Sequence, residues 1–275
     1  MANNEVTLTS ALRTNLLSLQ GTQKLLDQTQ LRLATGKKVN GALDNANAFF
    51  ASQSLTNRAN DLTRLLDGIG QSVQTLKAAD EGIKTITSFL EQMQAVAQEA
   101  LDQSNANSGG APADQTSLEA SYDELIAQVD TVASDAGYRG TNLLDQGDLT
   151  VTFNEDGTST LTVSGVDFTT TGLGISAADF SDATTTQAAL DEISAALDTA
   201  RAQARTFGTN LNIIQTREDF TQNLINTLKE GSDKLVLADN NEEGAKLLAL
   251  QTQQQLGITS LSLASQAQQS VLSLF

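Results

Sequence analysis

The sequence has no histidine, no cysteine, no tryptophan and a single proline, and its only aromatics are nine Phe and two Tyr. Without cysteine there are neither disulfides nor thiolate metal sites, and without histidine the usual general base and the commonest metal ligand are gone. Carboxylates, hydroxyls and a few lysines are what remains for chemistry. The residues imply no enzyme and no cofactor or metal. So few aromatics and one proline also argue against a compact aromatic core and fit long helices instead.

Basic charge is scarce as well, with 16 Lys and Arg against 33 Asp and Glu, a net charge of −17. It is unevenly spread. Residues 1–43 carry five basic and two acidic groups, residues 44–246 eleven and thirty-one, and Leu247 to Phe275 none at all. An acidic middle argues against nucleic acid or an anionic membrane as partner. The charge-free end holds 14 polar residues among its 29, too many for a membrane span. The opening stretch MANNEVTLTSALRTNLLSLQ has neither a basic leader nor an unbroken apolar run before a cleavage site, so no secretory signal is expected in it.

What is there is helical periodicity. In the neutral tail, Leu247, Leu250, Gln254, Gly257, Leu261, Ala264, Gln268, Val271 and Phe275 fall alternately three and four apart, the seam of a coiled coil. Leu12, Leu16, Leu19, Gln23, Leu26, Gln30 and Leu33 repeat that pattern near the start, so the two ends read as partners. The seam glutamines either fix register at a cost in stability or face a gap or an edge. A second helix runs from about Asp44 through Ile69, Val73, Leu76, Ala79, Ile83, Ile86, Leu90, Met93, Ala97 and Ala100, broken at NANSGGAPAD around Pro112. A third carries Leu118, Tyr122, Leu125, Val129, Val132 and Ala136. Leu149, Val151 and Phe153 then alternate with threonines, NEDG turns the chain, and Leu161 and Val163 return, a β-hairpin with further short pairing near Val166 and Phe168. From Leu190 to Leu235 three-four spacing holds for more than six heptads. Asp239 with Glu242 resembles a capping box before the tail.

The expected fold is mainly α: a long antiparallel helical rod or coiled-coil bundle, with a small β-hairpin region about 148–175 at its tip and paired terminal helices. Residues 1–43 and 239–275 form the pair and residues 44–238 the rod.

Two motifs fall away on inspection. DNNEEG at Asp239 to Gly244 begins like a calcium loop, but its twelfth position is Leu250. GIGQSV at Gly68 to Val73 lacks the third glycine and the preceding strand of a dinucleotide site, which leaves small residues at a close helix approach. The threonine runs 169–171 and 184–186 read either as ordinary loop composition or as carriers of O-linked sugar.

Both ends resemble bacterial flagellins. LATGKKVNGALDNANA matches the family's N-terminal signature at Leu33, Gly36, Asn40, Ala42, Asp44 and Ala46, with Lys38 replacing an arginine and Val39 an isoleucine. The C-terminal signature matches at Gln254, Gln255, Gly257, Leu261, Ala264, Gln266, Val271, Leu272 and Leu274. The resemblance implies a short flagellin without large outer domains, a structural subunit that polymerises with itself into the motility filament. A hook-filament junction adaptor is the alternative of the same family. It implies export through the flagellum's own channel and dealings with the export apparatus, an export chaperone, and the filament cap and junction proteins. The core-packing residues it suggests are Leu12, Leu16, Leu19, Leu26, Leu33, Leu247, Leu250, Leu261, Ala264, Val271, Leu272 and Phe275. LEQMQAVAQE, at Leu90 to Glu99, departs from the stretch that many flagellins offer to the innate receptor of animals, with Gln92 and Gln94 where arginines stand and Ala95 for a glutamate. Weak receptor activation is the expectation.

Overall fold

The structure, a computed structural model, describes residues 10–106 and 112–272. Helix α1 spans Ser10–Thr35 and stops at Gly36, whose φ of 67° takes the left-handed conformation that only glycine adopts freely. Helix α2 runs through 61 residues, Ala46–Ala106, opened by Asn45, whose side chain accepts the Ala48 N–H at 3.1 Å. The break around Pro112 is placed as expected: Pro112 is the first residue of α3, Pro112–Asp135, where its missing N–H costs nothing.

Strands β1, Leu149–Thr152, and β2, Thr160–Val163, pair antiparallel with Val151 opposite Leu161. Asn154 holds the turn: its side chain accepts the Ser159 N–H at 2.9 Å, and Gly157 supplies the positive φ. The further pairing expected near Val166 and Phe168 is present, their N–H groups donating to the carbonyls of Leu143 and Leu144 at 2.8 and 2.9 Å.

A one-turn helix α4, Thr170–Leu173, follows, too short to leave a periodic signal. Helix α5, Ala183–Val236, is capped by Asp182, which accepts the N–H groups of Thr184 and Thr185 at 2.7 and 3.0 Å. These two bonds, that of Thr185 foremost, hold the Asp182 carboxyl below the usual carboxylate range. Helix α6, Asn240–Leu272, is capped by Asp239 through the N–H groups of Asn241 and Glu242. Glu242 itself turns to Lys246 at 2.7 Å, so Asp239 supplies the capping and the expected box reduces to that half. The calcium-like motif is thus a helix start, and no group of three or more acidic side chains among the described residues is arranged to hold a metal.

The chain divides into two compact units: residues 58–226, and residues 1–57 with 227–275. The first holds the main apolar core. All ten seam residues of α2 from Ile69 to Ala100 are buried, as are Leu190, Ile193, Leu197, Ala200, Phe207 and Ile214 of α5. Tyr122 meets Phe180 edge to face at 5.5 Å, and burial pushes the Tyr122 hydroxyl pKa up. Gly82 is small of necessity, since a Cβ there would lie 2.6 Å from Leu144 Cδ1 and 2.8 Å from Ala136 Cβ. Gly68 and Gly70, expected at a close helix approach, face open space.

The hairpin's position needs correcting. It lies beside α2 and α5 at positions inside those two helices: Glu155 in its turn pairs with Arg58 Nε at 2.5 Å, and the Arg217 guanidinium sits 5.3 Å from the Phe153 ring centroid. Val151, Phe153 and Val163 join the helical core from there.

Candidate assembly surface

In the other unit α1 and α6 pack antiparallel. Arg32 faces Glu243, Gln23 faces Gln254, and Leu19 lies where a Cβ on Gly257 would be 3.2 Å away, so numbers fall along one helix as they rise along the other. Gly257 is therefore a point of close approach. On α6 the half-buried positions beyond Gly244 are Leu247, Leu250, Gln254, Gly257, Leu261 and Ala264, with most of the rest of that stretch exposed. Val271 and Leu272 end the helix, but their side chains, that of Gln268, and all of Phe275 and Leu274 lie outside the described residues.

The α1 side differs from its expected seam. Leu12 and Leu26 are buried and Leu19 and Leu33 half-buried, but Thr22 and Thr29 fill the places expected for Gln23 and Gln30, and Leu16 is 38% exposed. Threonine suits the buried position because its hydroxyl can bond back into its own helix, as Thr22 does to the Ser18 carbonyl at 3.0 Å. Gln23 and Gln30 stand at the exposed edge, and Gln23 there accepts the Gln254 amide at 2.5 Å.

The pair leaves much apolar surface in water. Leu17, Leu25 and Leu31 on α1 and Leu248, Leu256, Ile258 and Leu263 on α6 are all exposed, although no charged side chain stands between Leu247 and Phe275. No described helix is long and apolar enough to cross a membrane. Surface of this kind marks an interaction face.

The signature residues of the first loop build a junction. Asp44 Oδ2 accepts the N–H groups of Asn40 and Gly41 at 2.9 and 3.2 Å, and the Asn40 amide donates to the Lys37 carbonyl at 3.0 Å. Ala42 is half-buried beside them. This compact loop is stitched to the one after α5: Lys38 N–H donates to the Val236 carbonyl at 2.7 Å, and Ala238 N–H to the Gly36 carbonyl at 2.9 Å. Nearby, Ser52, Thr56 and Ser232 join α2 to α5 through hydroxyl bonds of 2.8 and 2.9 Å. Gln255 and Gln266 are exposed on α6.

The pairing of Arg32 with a buried Glu243 escaped the sequence reading. Glu243 is only 4% exposed and its Oε1 accepts from Arg32 at 3.2 Å. Extending the tail seam back four residues from Leu247 lands on Glu243, and a carboxylate on a seam demands a cation opposite. That signal was available.

Comparison with known proteins gives one consistent result. The bacterial flagellin N-terminal helical region matches residues 5–148, and the C-terminal helical region residues 188–275. Flagellin FljM of Caulobacter vibrioides is 33% identical over 247 residues, covering 88% of each chain. A flagellin of Brucella melitensis is 32% identical over 286 aligned positions, covering 98% of each. A solved Bacillus cereus flagellin structure shares 21% identity at a TM-score of 0.49, covering 56% of this chain and 88% of its own.

Proposed function

The chain belongs to the bacterial flagellin family and is a structural subunit of the flagellar filament, and from that premise we propose that its two terminal helices form the filament's inner wall. Residues 1–43 and 239–275 are the inner part in this reading and residues 44–238 the outer. The core-packing set named from the sequence, Leu12 through Leu33 on α1 and Leu247 through Phe275 at the other end, supplies the contacts. The observation that carries the proposal is the charge-free α6 with Leu248, Leu256, Ile258 and Leu263 exposed in the single chain. Such a face gains only by meeting protein, and in a closed tube an unpaired charge would be costly.

The α1–α6 pair is thinly buried by comparison with the core of residues 58–226. Its final ordering is accordingly assigned to assembly, with the chain exported through the flagellum's own channel and without removal of a leader. Export apparatus, chaperone, cap and junction proteins are the partners this route requires. Seeding purified protein with filament fragments and imaging the product by electron microscopy tests the proposal. Filaments whose protein has the intact mass of the full chain are expected; soluble protein at every concentration, or a mass lacking the first residues, would contradict it.

A further inference from the structure

A cavity of about 500 Å³ opens where the ends of α1 and α5 meet the starts of α2 and α6. Its charged side chains are nearly all spoken for. Asp44 and Asp239 accept backbone N–H groups, Glu242 holds Lys246, and Lys38 Nζ donates to the Lys234 carbonyl at 3.2 Å. Glu243 is the exception. Its Oε1 takes Arg32 and, at 3.5 Å, Lys246, while its Oε2 is buried without a hydrogen-bond partner.

We propose that this cavity is a socket for a lysine or arginine head from a second copy of the chain, which completes the Glu243 carboxylate in the filament. This rests on the filament reading above. The open atom is an acceptor, so its occupant must donate, and a charged donor makes the stronger bond to a desolvated carboxylate. The described acidic side chains form no metal-holding group, which favours a side-chain cation over an ion. Leu43 and Leu237, next in sequence to the lining residues Asp44 and Ala238, are exposed. Apolar contacts around a buried polar anchor are the anatomy of a protein interface. A second copy is the occupant because a filament places the same neighbour at every subunit. Of the five basic residues in 1–43, Arg32, Lys37 and Lys38 belong to the cavity's own surroundings, so the donor a neighbouring copy brings from this segment is one such as Lys24, exposed on α1.

A high-resolution electron-microscopy map of the filament decides the matter. An ammonium or guanidinium of a neighbouring subunit within hydrogen-bond distance of Glu243 Oε2 is expected. Water there, or a group of the same chain, in well-formed filaments would overturn the socket and leave the filament reading standing. Glu243→Gln puts either an amide donor or a weaker neutral acceptor at that position, and should raise the critical concentration for seeded growth about tenfold or more. Arg32→Gln, which removes only the internal partner, should raise it less. Equal effects of the two substitutions, or growth of Glu243→Gln like the parent, would refute the proposal. Failure of the parent itself to polymerise would sink the filament reading and the socket together.

Discussion

Ending the chain at Ser260 removes the last part of α6 and should separate assembly from the stability of the subunit. Of the deleted residues Leu261 and Ala264 are half-buried. The register set by Gly257 against Leu19 carries them opposite the first turns of α1, where Leu12 is buried. Half the value of a buried leucine is about 1 kcal/mol, and uncovering Leu12 adds roughly 1 to 3 kcal/mol, so about 2–4 kcal/mol is lost from the helix pair. In a polymer that loss corresponds to about a 30-fold to 1000-fold rise in critical concentration. Residues 58–226 keep their own core, so their calorimetric transition should stay where it is in the intact monomer. The assay is seeded polymerisation followed by sedimentation, with calorimetry of the unpolymerised chain. Unchanged growth of the truncated protein, or loss of the main transition, would show that the tail serves the subunit's own core and would refute the reasoning.

Tyr122→Phe keeps the ring against Phe180 and deletes a buried hydroxyl that has no hydrogen-bond partner. It should stabilise residues 58–226 by about 1 kcal/mol, raising their melting temperature by roughly 2–4 °C in calorimetry. Gly82→Ala sets a methyl against Leu144 and Ala136, and should lower the same transition by about 1–2 kcal/mol despite alanine's better helix propensity. Asp182 and Asp167 both titrate below the usual carboxylate range, Asp167 chiefly through the Thr169 hydroxyl. Their contribution is therefore complete above the unfolded carboxyl pKa and lost as pH falls through the lower folded values; melting followed across acidic pH should fall, and Asp182→Ala should flatten that fall. On α2, Gln92 and Ala95 are exposed and Gln94 half-buried, so the arginine contacts of the signalling flagellins have no counterpart there. Purified monomer should activate the innate receptor weakly in a reporter-cell assay, and a potent response would count against this.

The long helices were legible because their apolar residues recur without a slip: every α2 seam residue from Ile69 to Ala100 and the α5 series from Leu190 to Leu235 is buried or half-buried. The α6 seam was legible for the same reason. On α1 the pattern misled, since a leucine every seven residues leaves the intervening position open to Thr22 or Gln23, and hydroxyl back-bonding decides for threonine. The hairpin was found from its alternation and its turn. Its place beside Arg58 and Arg217 was not legible, because strand periodicity says nothing about which distant helix a turn will touch. The junction loop was recognised only through its resemblance to known signatures; why Gly36, Asn40 and Asp44 belong there emerges from a positive φ and three hydrogen bonds. Gly257 likewise gained its reason only once Leu19 stood opposite.

The stitched loops also set an order of events along the chain. Arg32 and Glu243 are 211 positions apart, so α1 is synthesised early and its partner nearly last. Once the Ser52–Ser232 contact has formed, the span left to close shrinks to about 30 residues, which lowers the entropic cost of bringing the ends together by roughly 1.7 kcal/mol. The α2–α5 helices thus act as a template for their own termini. The end helices are therefore expected to zip up after the body and open before it, which faster hydrogen exchange in α1 and α6 than in residues 58–226 of the monomer would show, and a chain stalled short of Asp239 leaves α1 without its α6 partner.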